Sequence, residues 1–197
     1  MSVLLATRNS GKIREFAQLL AGEPVQVETL GAHPEFGDVE ETGETFDENA
    51  RIKATYFARA SGMWTIAEDS GLVVDALGGE PGVYSARYAG THGDDAANNE
   101  KLIRELQGIE DRSARYVCAI VLARPDGEIA VSVQGVCEGQ IVDKPRGCGG
   151  FGYDPHFMTT GETRTNAELS PKDKNAISHR GQAIRTFGPL LRVHLPS

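Results

Sequence analysis

Hydrophobic and polar residues follow one another at the start of the chain in the order strand, polar loop, helix. Residues 3–6 form a short apolar run that predicts a strand, and residues 7–12 form a polar turn after it. The next apolar residues recur at helical spacing, as an amphipathic helix requires. They are Ile13, Phe16, Leu19 and Leu20. A helix that follows a polar loop points its first backbone N–H groups at the loop, where they can bind an anion.

A second helix is predicted by its N-terminal signal. Residues 45–48 (Thr-Phe-Asp-Glu) have the pattern of a capping box, in which the Thr and Glu side chains satisfy free N–H groups of the first turn. We expect this helix to run from residue 46 to residue 60 and to end at Ser61-Gly62. Residues 31–44 before it are acidic and loop-like, and weak alternation at residues 25–29 indicates a second strand.

Two adjacent acids follow the next apolar run. Residues 64–67 predict a buried strand, and Glu68-Asp69 and Ser70-Gly71 come directly after it. We expect the strand to end there, to present the carboxylates at the sheet edge and to turn sharply at the glycine. Such carboxylates are hard oxygen ligands suited to Mg²⁺, and they can also orient or deprotonate a water molecule. The alternative for this segment alone is a solvated acidic turn.

The second half of the chain adds the remaining elements of a mixed α/β domain. Residues 77–93 are glycine-rich and irregular, and residues 94–106 are helical in pattern. Residues 114–123 are almost continuously apolar, which is typical of a central strand, and they should form a hairpin with the alternating residues 128–138.

A glycine-rich loop and a helical region close the chain. The loop covers residues 147–152, and Ser170-Pro171 is an N-cap followed by proline, which opens a turn or a short helix. Residues 176–191 carry apolar positions at helical spacing. We find no repeat or linker, so residues 1–197 are predicted to be a single domain.

Composition narrows the functional class. The 197 residues carry a formal net charge of −8, which argues against binding along nucleic acid because that needs clustered basic charge. No stretch approaches a membrane span and the N-terminus does not resemble a signal peptide, so we expect a cytoplasmic protein without membrane contact. The three cysteines have no Cys-x-x-Cys spacing, which speaks against a zinc site or a disulfide framework.

Five polar loops stand at the ends of predicted elements and carry both carboxylates and cations. This combination suits a complex of a metal ion with a polyphosphate, because ammonium and guanidinium groups neutralise phosphate oxygens. Each loop alone could be an ordinary polar surface loop. Residues 9–12 do not have the pattern of a Walker A loop, and Ser178-His179 lacks the nucleophile elbow of a serine hydrolase. The segment 150–155 is more specific, because its glycines let the backbone approach a ligand and its aromatic side chain can stack on a base.

With these segments in their order, the chain resembles the inosine triphosphate pyrophosphatase family, which comprises the dITP/XTP pyrophosphatases. The resemblance covers essentially the whole length. The segments that carry it are residues 6–12 (ATRNSGK), 40–43 (EETG), 46–50 (FDENA), 53–54 (KA), 68–72 (EDSGL), 81–88 (PGVYSARY), 149–155 (GGFGYDP) and 176–183 (AISHRGQA).

The resemblance implies an α/β fold with an elongated, twisted mixed sheet flanked by helices, with two lobes and a central cleft, and it implies a homodimer. It further implies Mg²⁺-dependent cleavage of non-canonical purine nucleoside triphosphates to the monophosphate and pyrophosphate. The metal ligands would be Glu40, Glu68 and Asp69, with Asp69 also the proton acceptor. The substrate contacts would be Thr7, Arg8, Asn9, Ser10, Gly11, Lys12, Lys53, Ser70, Phe151, Gly152, Tyr153, Asp154, Lys174, His179 and Arg180.

Two residues depart from the family pattern. Arg8 stands where many relatives have a small residue, and Glu68 replaces an aspartate common in bacterial members. Three rival functions stay open at this stage: a hydrolase of ordinary, methylated or bulky nucleotides, a nucleotide-sensing module without turnover, and a kinase-like transferase. The acidic residues argue against a pure anion-binding module, because carboxylates facing phosphate would weaken its binding.

Overall fold

The computed structural model of the protein describes residues 2–23 and 25–195. The strands of this part are β1 (Ser2–Leu5), β2 (Gln26–Thr29), β3 (Thr65–Val74), β4 (Ser113–Ala123), β5 (Ile129–Ile141) and β6 (Phe157–Thr159). The helices are α1 (Ser10–Leu19), α2 (Phe46–Ser61), α3 (Asp95–Glu105), α4 (Pro171–Ile177) and α5 (His179–His194). Short 3-10 turns lie at Leu30–Ala32, Asp75–Leu77, Gly82–Arg87 and Asn166–Glu168.

The strands form one mixed sheet in the order β2-β1-β3-β4-β5-β6. Strand β1 pairs in parallel with β2 and with β3, in registers that place Val3 opposite Val27 and Leu5 opposite Ile66. Strands β5 and β6 are antiparallel. The predicted hairpin is confirmed, since β4 and β5 are neighbours and Arg124 N donates to Glu128 O at 2.8 Å across the short turn. The mixed α/β fold class is confirmed as well.

The chain divides into two compact units, and strands β3, β4 and β5 contribute residues to both. The first unit comprises residues 1–69, 118–135 and 182–197, and the second comprises residues 70–117 and 136–181. Each unit has its own hydrophobic core. The assignment of residues 1–197 to one functional domain stays a prediction.

The core of the first unit joins helices α1 and α5 to the sheet. Helix α1 contributes its apolar stripe and α5 contributes residues 183–191, as their helical spacing predicted. The buried members are Val3, Leu5, Phe16, Leu20, Ile66, Cys118, Ile120, Leu122, Val131, Ala183, Ile184, Phe187 and Leu191. Helix α2 has the predicted capping box at Thr45 and Glu48, and it ends at Gly62, whose φ of 66° is left-handed.

The core of the second unit joins helix α3 to the other parts of strands β3, β4 and β5. Its buried members are Leu72, Val74, Tyr88, Leu102, Leu106, Ala114, Tyr116, Cys137, Ile141, Tyr153 and Phe157. Tyr153 lies in the loop between β5 and β6, so this core also anchors the glycine-rich segment that the sequence singled out.

Strand β3 corrects one prediction. It does not end before the acidic pair but continues through Glu68, Asp69, Ser70 and Gly71 to Val74. The pair is therefore in the middle of a strand that lies between β1 and β4, and not at a sheet edge. Strand β4 is 11 residues long and provides a partner for this extension, so ladder hydrogen bonds outweigh the turn-forming tendency of Ser-Gly.

The C-terminal helical region corrects a second prediction. It is interrupted at Ser178, which has extended backbone angles (φ −67°, ψ 157°) between α4 and α5. The Ser178 hydroxyl accepts a hydrogen bond from Gly181 N at 3.1 Å, as an N-cap does. The interruption thus starts a new helix at His179. Within the described residues, we find no helix with the length and apolarity needed to span a bilayer.

Candidate active site

The polar loop between β1 and α1 is organised by short-range hydrogen bonds. Asn9 caps α1 by accepting from Lys12 N at 3.0 Å, and Thr7 Oγ1 accepts from Asn9 N at 3.2 Å. Ser10 begins the helix and is exposed, whereas Gly11 is buried. Residues 7–12 therefore form the predicted polar loop and a capped helix start. Binding of a phosphate by Thr7, Asn9, Ser10, Gly11 and Lys12 stays a prediction.

Arg8 in this loop is engaged by the segment before Glu40. Its guanidinium donates to the carbonyls of Phe36 at 2.5 Å and Leu30 at 3.3 Å, and it pairs with Asp38 at 3.3 Å. These contacts tie the loop to residues 30–38. A contact of Arg8 with substrate stays a prediction and would require these bonds to be exchanged.

The carboxylate of Glu68 has a different partner on each oxygen. Lys12 Nζ lies 2.9 Å from Oε2, and the thiol of Cys118 donates to Oε1 at a sulfur–oxygen distance of 3.4 Å. Glu68 is only 1% exposed, which makes it one of the buried charges of the first unit. From the sequence alone, Cys118 is predicted only to be a core residue of an apolar strand.

Asp69 is held by a lysine from helix α2. Lys53 Nζ lies 3.3 Å from Asp69 Oδ1 and donates to Glu41 Oε1 at 2.8 Å. Asp69 is 6% exposed, and its second oxygen, Oδ2, is buried without a hydrogen-bond partner among the described residues. An unsatisfied buried carboxylate oxygen is costly, and in natural proteins it marks a place where water, an ion or a substrate binds.

These residues form what we call the carboxylate–lysine cluster: Lys12, Glu41, Lys53, Glu68 and Asp69. Its three carboxylates exceed its two ammonium groups, so the formal charge is −1. The pKa directions agree with this excess. Burial, together with the charges of Glu41 and Glu68, raises the pKa of Asp69 against the opposing effect of the lysines. Burial alone would lower the pKa of Lys53, but the Asp69 and Glu41 carboxylates outweigh it and raise that pKa.

The structure distinguishes two adjacent glutamates that the sequence could not. Glu41 reaches Lys53, whereas Glu40 is exposed and has no ion pair among the described residues. Glu41 therefore belongs to the cluster, although the resemblance did not imply a role for it. The role of Glu40 as a metal ligand stays a prediction that this geometry does not favour.

A preformed protein cage for a metal ion is absent from the part of the chain that the structure describes, where no group of three His, Cys, Asp or Glu residues is arranged to hold one. The carboxylates of Glu68 and Asp69 are each suited to Mg²⁺, although adjacent residues of a strand point to opposite faces. This ion is usually held by one or two carboxylates together with substrate phosphates, and not by an all-protein cage.

In the second unit, Asp154 organises the glycine-rich loop. Its Oδ2 accepts from Phe151 N at 2.9 Å and from Lys174 Nζ at 2.6 Å, and the residue is buried. Gly150 makes this approach possible, because its φ is 72° and a Cβ there would lie 2.0 Å from Asp154 Oδ2. The loop can close on its own aspartate only with glycine at this position.

Two cations flank the ring of Phe151. Lys174 Nζ lies 4.9 Å from the ring centroid and the Arg180 guanidinium carbon lies 5.7 Å from it. Arg180 is 1% exposed and donates to Ser70 Oγ at 2.9 Å. We call Ser70, Phe151, Asp154, Lys174 and Arg180 the arginine–phenylalanine cluster. Its two cations exceed its one carboxylate, so its formal charge is +1.

Three other predicted substrate residues support this loop. Tyr153 is buried in the core and donates to Ser85 O at 2.8 Å. Gly152 N donates to Asp95 Oδ2 at 2.7 Å. The ring of His179 is buried and stacks on Tyr116 with centroids 4.7 Å apart. Substrate contacts of Gly152, Tyr153 and His179 stay predictions, and Tyr153 and His179 are only 3% and 4% exposed.

Comparisons with known proteins agree with the sequence resemblance. The model of the Ham1 family matches residues 3–190. The chain belongs to this family. A dITP/XTP pyrophosphatase of Geobacillus kaustophilus is 52% identical over 184 residues, which cover 92% of this chain and 90% of the relative. The dITP/XTP pyrophosphatase of Streptomyces avermitilis is 50% identical over 194 residues, 96% of either chain.

A solved structure of a HAM1 protein from Coxiella burnetii is also similar to the protein. It superposes with a TM-score of 0.89 at 41% identity and covers 98% of this chain and 99% of that one. The resemblance to the pyrophosphatase family is thereby confirmed, and the fold described above is that of Ham1 proteins.

Proposed function

We propose that this protein hydrolyses non-canonical purine nucleoside triphosphates, namely dITP, ITP, XTP and dXTP, to the monophosphate and pyrophosphate. The names of the relatives support this activity. The observation that carries the proposal is the buried Asp69, whose raised pKa and unsatisfied Oδ2 give it the properties of a general base. Removal of such triphosphates would cleanse the nucleotide pool.

We infer that Mg²⁺ is the cofactor and that Glu68 and Asp69 hold it. Glu41 is connected to Asp69 through Lys53, which forms ion pairs with both. The excess of carboxylates in the cluster supports this inference, because a cation relieves it. When bound, the ion would lower the pKa of a water molecule and screen phosphate charge.

In the proposed reaction, Asp69 and the two lysines of the cluster have different roles. Asp69 Oδ2 would accept the proton of a water molecule as the oxygen of that water bonds to the α-phosphorus. The bond between the α-phosphorus and the bridging oxygen breaks, and pyrophosphate leaves with that oxygen. Lys12 and Lys53 offset the charge on the leaving group when they turn from their carboxylates to phosphate oxygens. No covalent intermediate with the enzyme is required.

The arginine–phenylalanine cluster suits the purine base. Hypoxanthine and xanthine carry an oxygen acceptor at C6, where adenine carries an amino group. Donors of Arg180 and His179 would bind the oxygen and be left unpaired by the amine, which can discriminate by about 10⁴–10⁵-fold. The ring of Phe151 offers a stacking surface, and Asp154 can accept from a ring N–H.

The decisive experiment incubates the protein with Mg²⁺ and, separately, ITP, dITP, XTP, GTP and ATP. We expect pyrophosphate from the first three and far slower turnover of GTP and ATP. Release of orthophosphate, equal turnover of ATP, or binding without turnover would each contradict the proposal.

We further infer a homodimer and a cytoplasmic location. Light scattering after gel filtration tests the dimer, and fluorescence microscopy of the tagged protein in cells tests the location.

A further inference from the structure

Strand β4 brings a thiol against a carboxylate of the carboxylate–lysine cluster. Cys118 Sγ lies 3.4 Å from Glu68 Oε1, and the two residues are 0% and 1% exposed. A carboxylate oxygen can only accept, so the sulfur carries the proton and donates it. Lys12 approaches the other oxygen, Oε2, at 2.9 Å. The thiol thus determines which oxygen of Glu68 is left for the lysine.

The strand periodicity explains why this contact forms. Side chains two residues apart share a face of a strand, so Ile66 and Glu68 of β3 share one face, as do Cys118 and Ile120 of β4. Ile66, Cys118 and Ile120 all belong to the core of the first unit. Glu68 therefore ends an apolar row, and Cys118 is its neighbour on the adjacent strand. Alanine or valine at position 118 could line the same core but could not donate to the carboxylate.

We propose that Cys118 is a positioning residue, whose thiol fixes Glu68 Oε1 and so presents Oε2 to Lys12 and to the cation of the site. This inference rests on the proposed function, because it treats Glu68 as a ligand of Mg²⁺. Partners that orient a ligating carboxylate are typically worth about 10–100-fold in metal affinity or activity. We expect the lower end of this range, about tenfold, because a thiol is a weak donor.

The chain offers a matched control in Cys137. This cysteine is also buried in a strand, β5, but it belongs to the second unit. Its sulfur lies 3.4 Å from Thr159 Oγ1 and has a hydrogen bond with the backbone of His179. The variants to compare are therefore Cys118→Ala and Cys118→Ser with Cys137→Ala and Cys137→Ser. For each, the Mg²⁺ concentration that gives half-maximal ITP hydrolysis is measured, and kcat and KM are measured at saturating Mg²⁺.

We expect Cys118→Ala to raise the half-maximal Mg²⁺ concentration about tenfold and to leave kcat at saturating Mg²⁺ close to that of wild type. Cys118→Ser should recover most of the loss, because a hydroxyl can also donate. Cys137→Ala should lower Tm without moving the Mg²⁺ requirement. An unchanged Mg²⁺ requirement in Cys118→Ala, or an equal shift in Cys137→Ala, overturns the proposal.

A second measurement needs neither turnover nor a variant of Cys118. In the Cys137→Ser/Cys148→Ser double variant, Cys118 is the only thiol, since the chain has three cysteines. Its S–H stretching band in the infrared should move to higher frequency when Glu68→Gln is added, because an amide oxygen is a weaker acceptor than a carboxylate. A band that does not move overturns the contact. If the wild type fails to hydrolyse ITP, the proposed function falls while this measurement still tests the hydrogen bond.

Discussion

The two polar clusters of the protein are opposite in charge and different in composition. The carboxylate–lysine cluster of the first unit has an excess of negative charge and consists only of ionisable side chains. The arginine–phenylalanine cluster of the second unit has an excess of positive charge and is built around an aromatic ring. Under the proposed function, a cation would offset the excess charge of the first cluster, and a flat base with acceptor groups would suit the second.

The proposed function assigns the chemistry to the first cluster and recognition of the base to the second. Changes in the first cluster should act mainly on kcat, because its carboxylates and lysines stabilise charge that develops during the reaction. Changes in the second should act mainly on the affinity for the nucleotide. Each of the following predictions tests one side of this division, and each can contradict it.

The largest effect is expected for Asp69→Asn. An amide cannot accept the proton of the attacking water, so kcat should fall by about 10²–10⁴-fold, the usual contribution of a general base. The affinity for a non-hydrolysable ITP analogue should change little. Steady-state kinetics of pyrophosphate release and calorimetric titration check the two parts. A kcat close to that of the wild type would exclude Asp69 as the base.

The next effect is expected in the other cluster, for Phe151→Ala. Loss of a base-stacking surface is worth about 1–3 kcal/mol, so nucleotide affinity should weaken by up to about 100-fold with kcat nearly unchanged. Inorganic tripolyphosphate serves as the control ligand, because it has no base. Equal weakening of tripolyphosphate and nucleotide would mean that Phe151 supports the loop through Lys174 and Arg180 and does not stack on a base.

The sequence predicted best the features that depend on interactions between residues close together in the chain. The capping box at Thr45 and the end of α2 at Gly62 depend on residues a few positions apart, and the structure confirms them. The course of β3 depends instead on strands that are distant in sequence. Ser70 and Gly71 favour a turn, but pairing with long neighbouring strands keeps them extended. The interruption at Ser178 was missed because apolar spacing alone is the same for one helix or two.

The choice between Glu40 and Glu41 shows the same limit at the level of one side chain. Both are acidic residues in one loop, and only the folded backbone decides which of them turns toward Lys53. Cys118 is a similar case, because its apolar strand gave no sign of a carboxylate beside it. The sequence thus predicted which segments carry the chemistry, and the structure was needed to identify the side chains that meet.

A smaller effect is expected for Glu41→Gln, with Glu40→Gln as its matched control. Glu41 holds Lys53 but its side chain is 27% exposed, so we expect a loss in kcat/KM of about tenfold, the low end for residues that orient a metal site. Glu40→Gln should change kcat/KM by less than about threefold, because the side chain of Glu40 is exposed and forms no ion pair with the described residues. The reverse order of the two variants would restore Glu40 as the metal ligand.

The smallest effect is a pH dependence of stability, which tests the direction in which the pKa of Asp69 is shifted. Burial, with Glu41 and Glu68, raises the pKa of Asp69 above its ordinary value of 3.8. The folded state therefore holds this proton more tightly than the unfolded state, and the stability of the wild type relative to Asp69→Asn should fall as the pH rises from 3.8 through the folded pKa.

Asp47 in the first turn of α2 is the control. Burial opposes its ionisation, but hydrogen bonds from Arg51 and Ser132 outweigh burial and lower the pKa of Asp47.

For Asp47 the sign is reversed. The stability of the wild type relative to Asp47→Asn should be fully present above pH 3.8 and should be lost as the pH falls through the lowered folded pKa. Urea unfolding of the three proteins between pH 3 and pH 8 measures both differences, with Mg²⁺ omitted so that no ion relieves the charge. If Asp69→Asn followed the direction of Asp47→Asn, the lysines would outweigh burial and the other two carboxylates at Asp69. The ionised form of Asp69 would then be favoured in the folded protein, which would contradict the raised pKa of Asp69 and its assignment as the base.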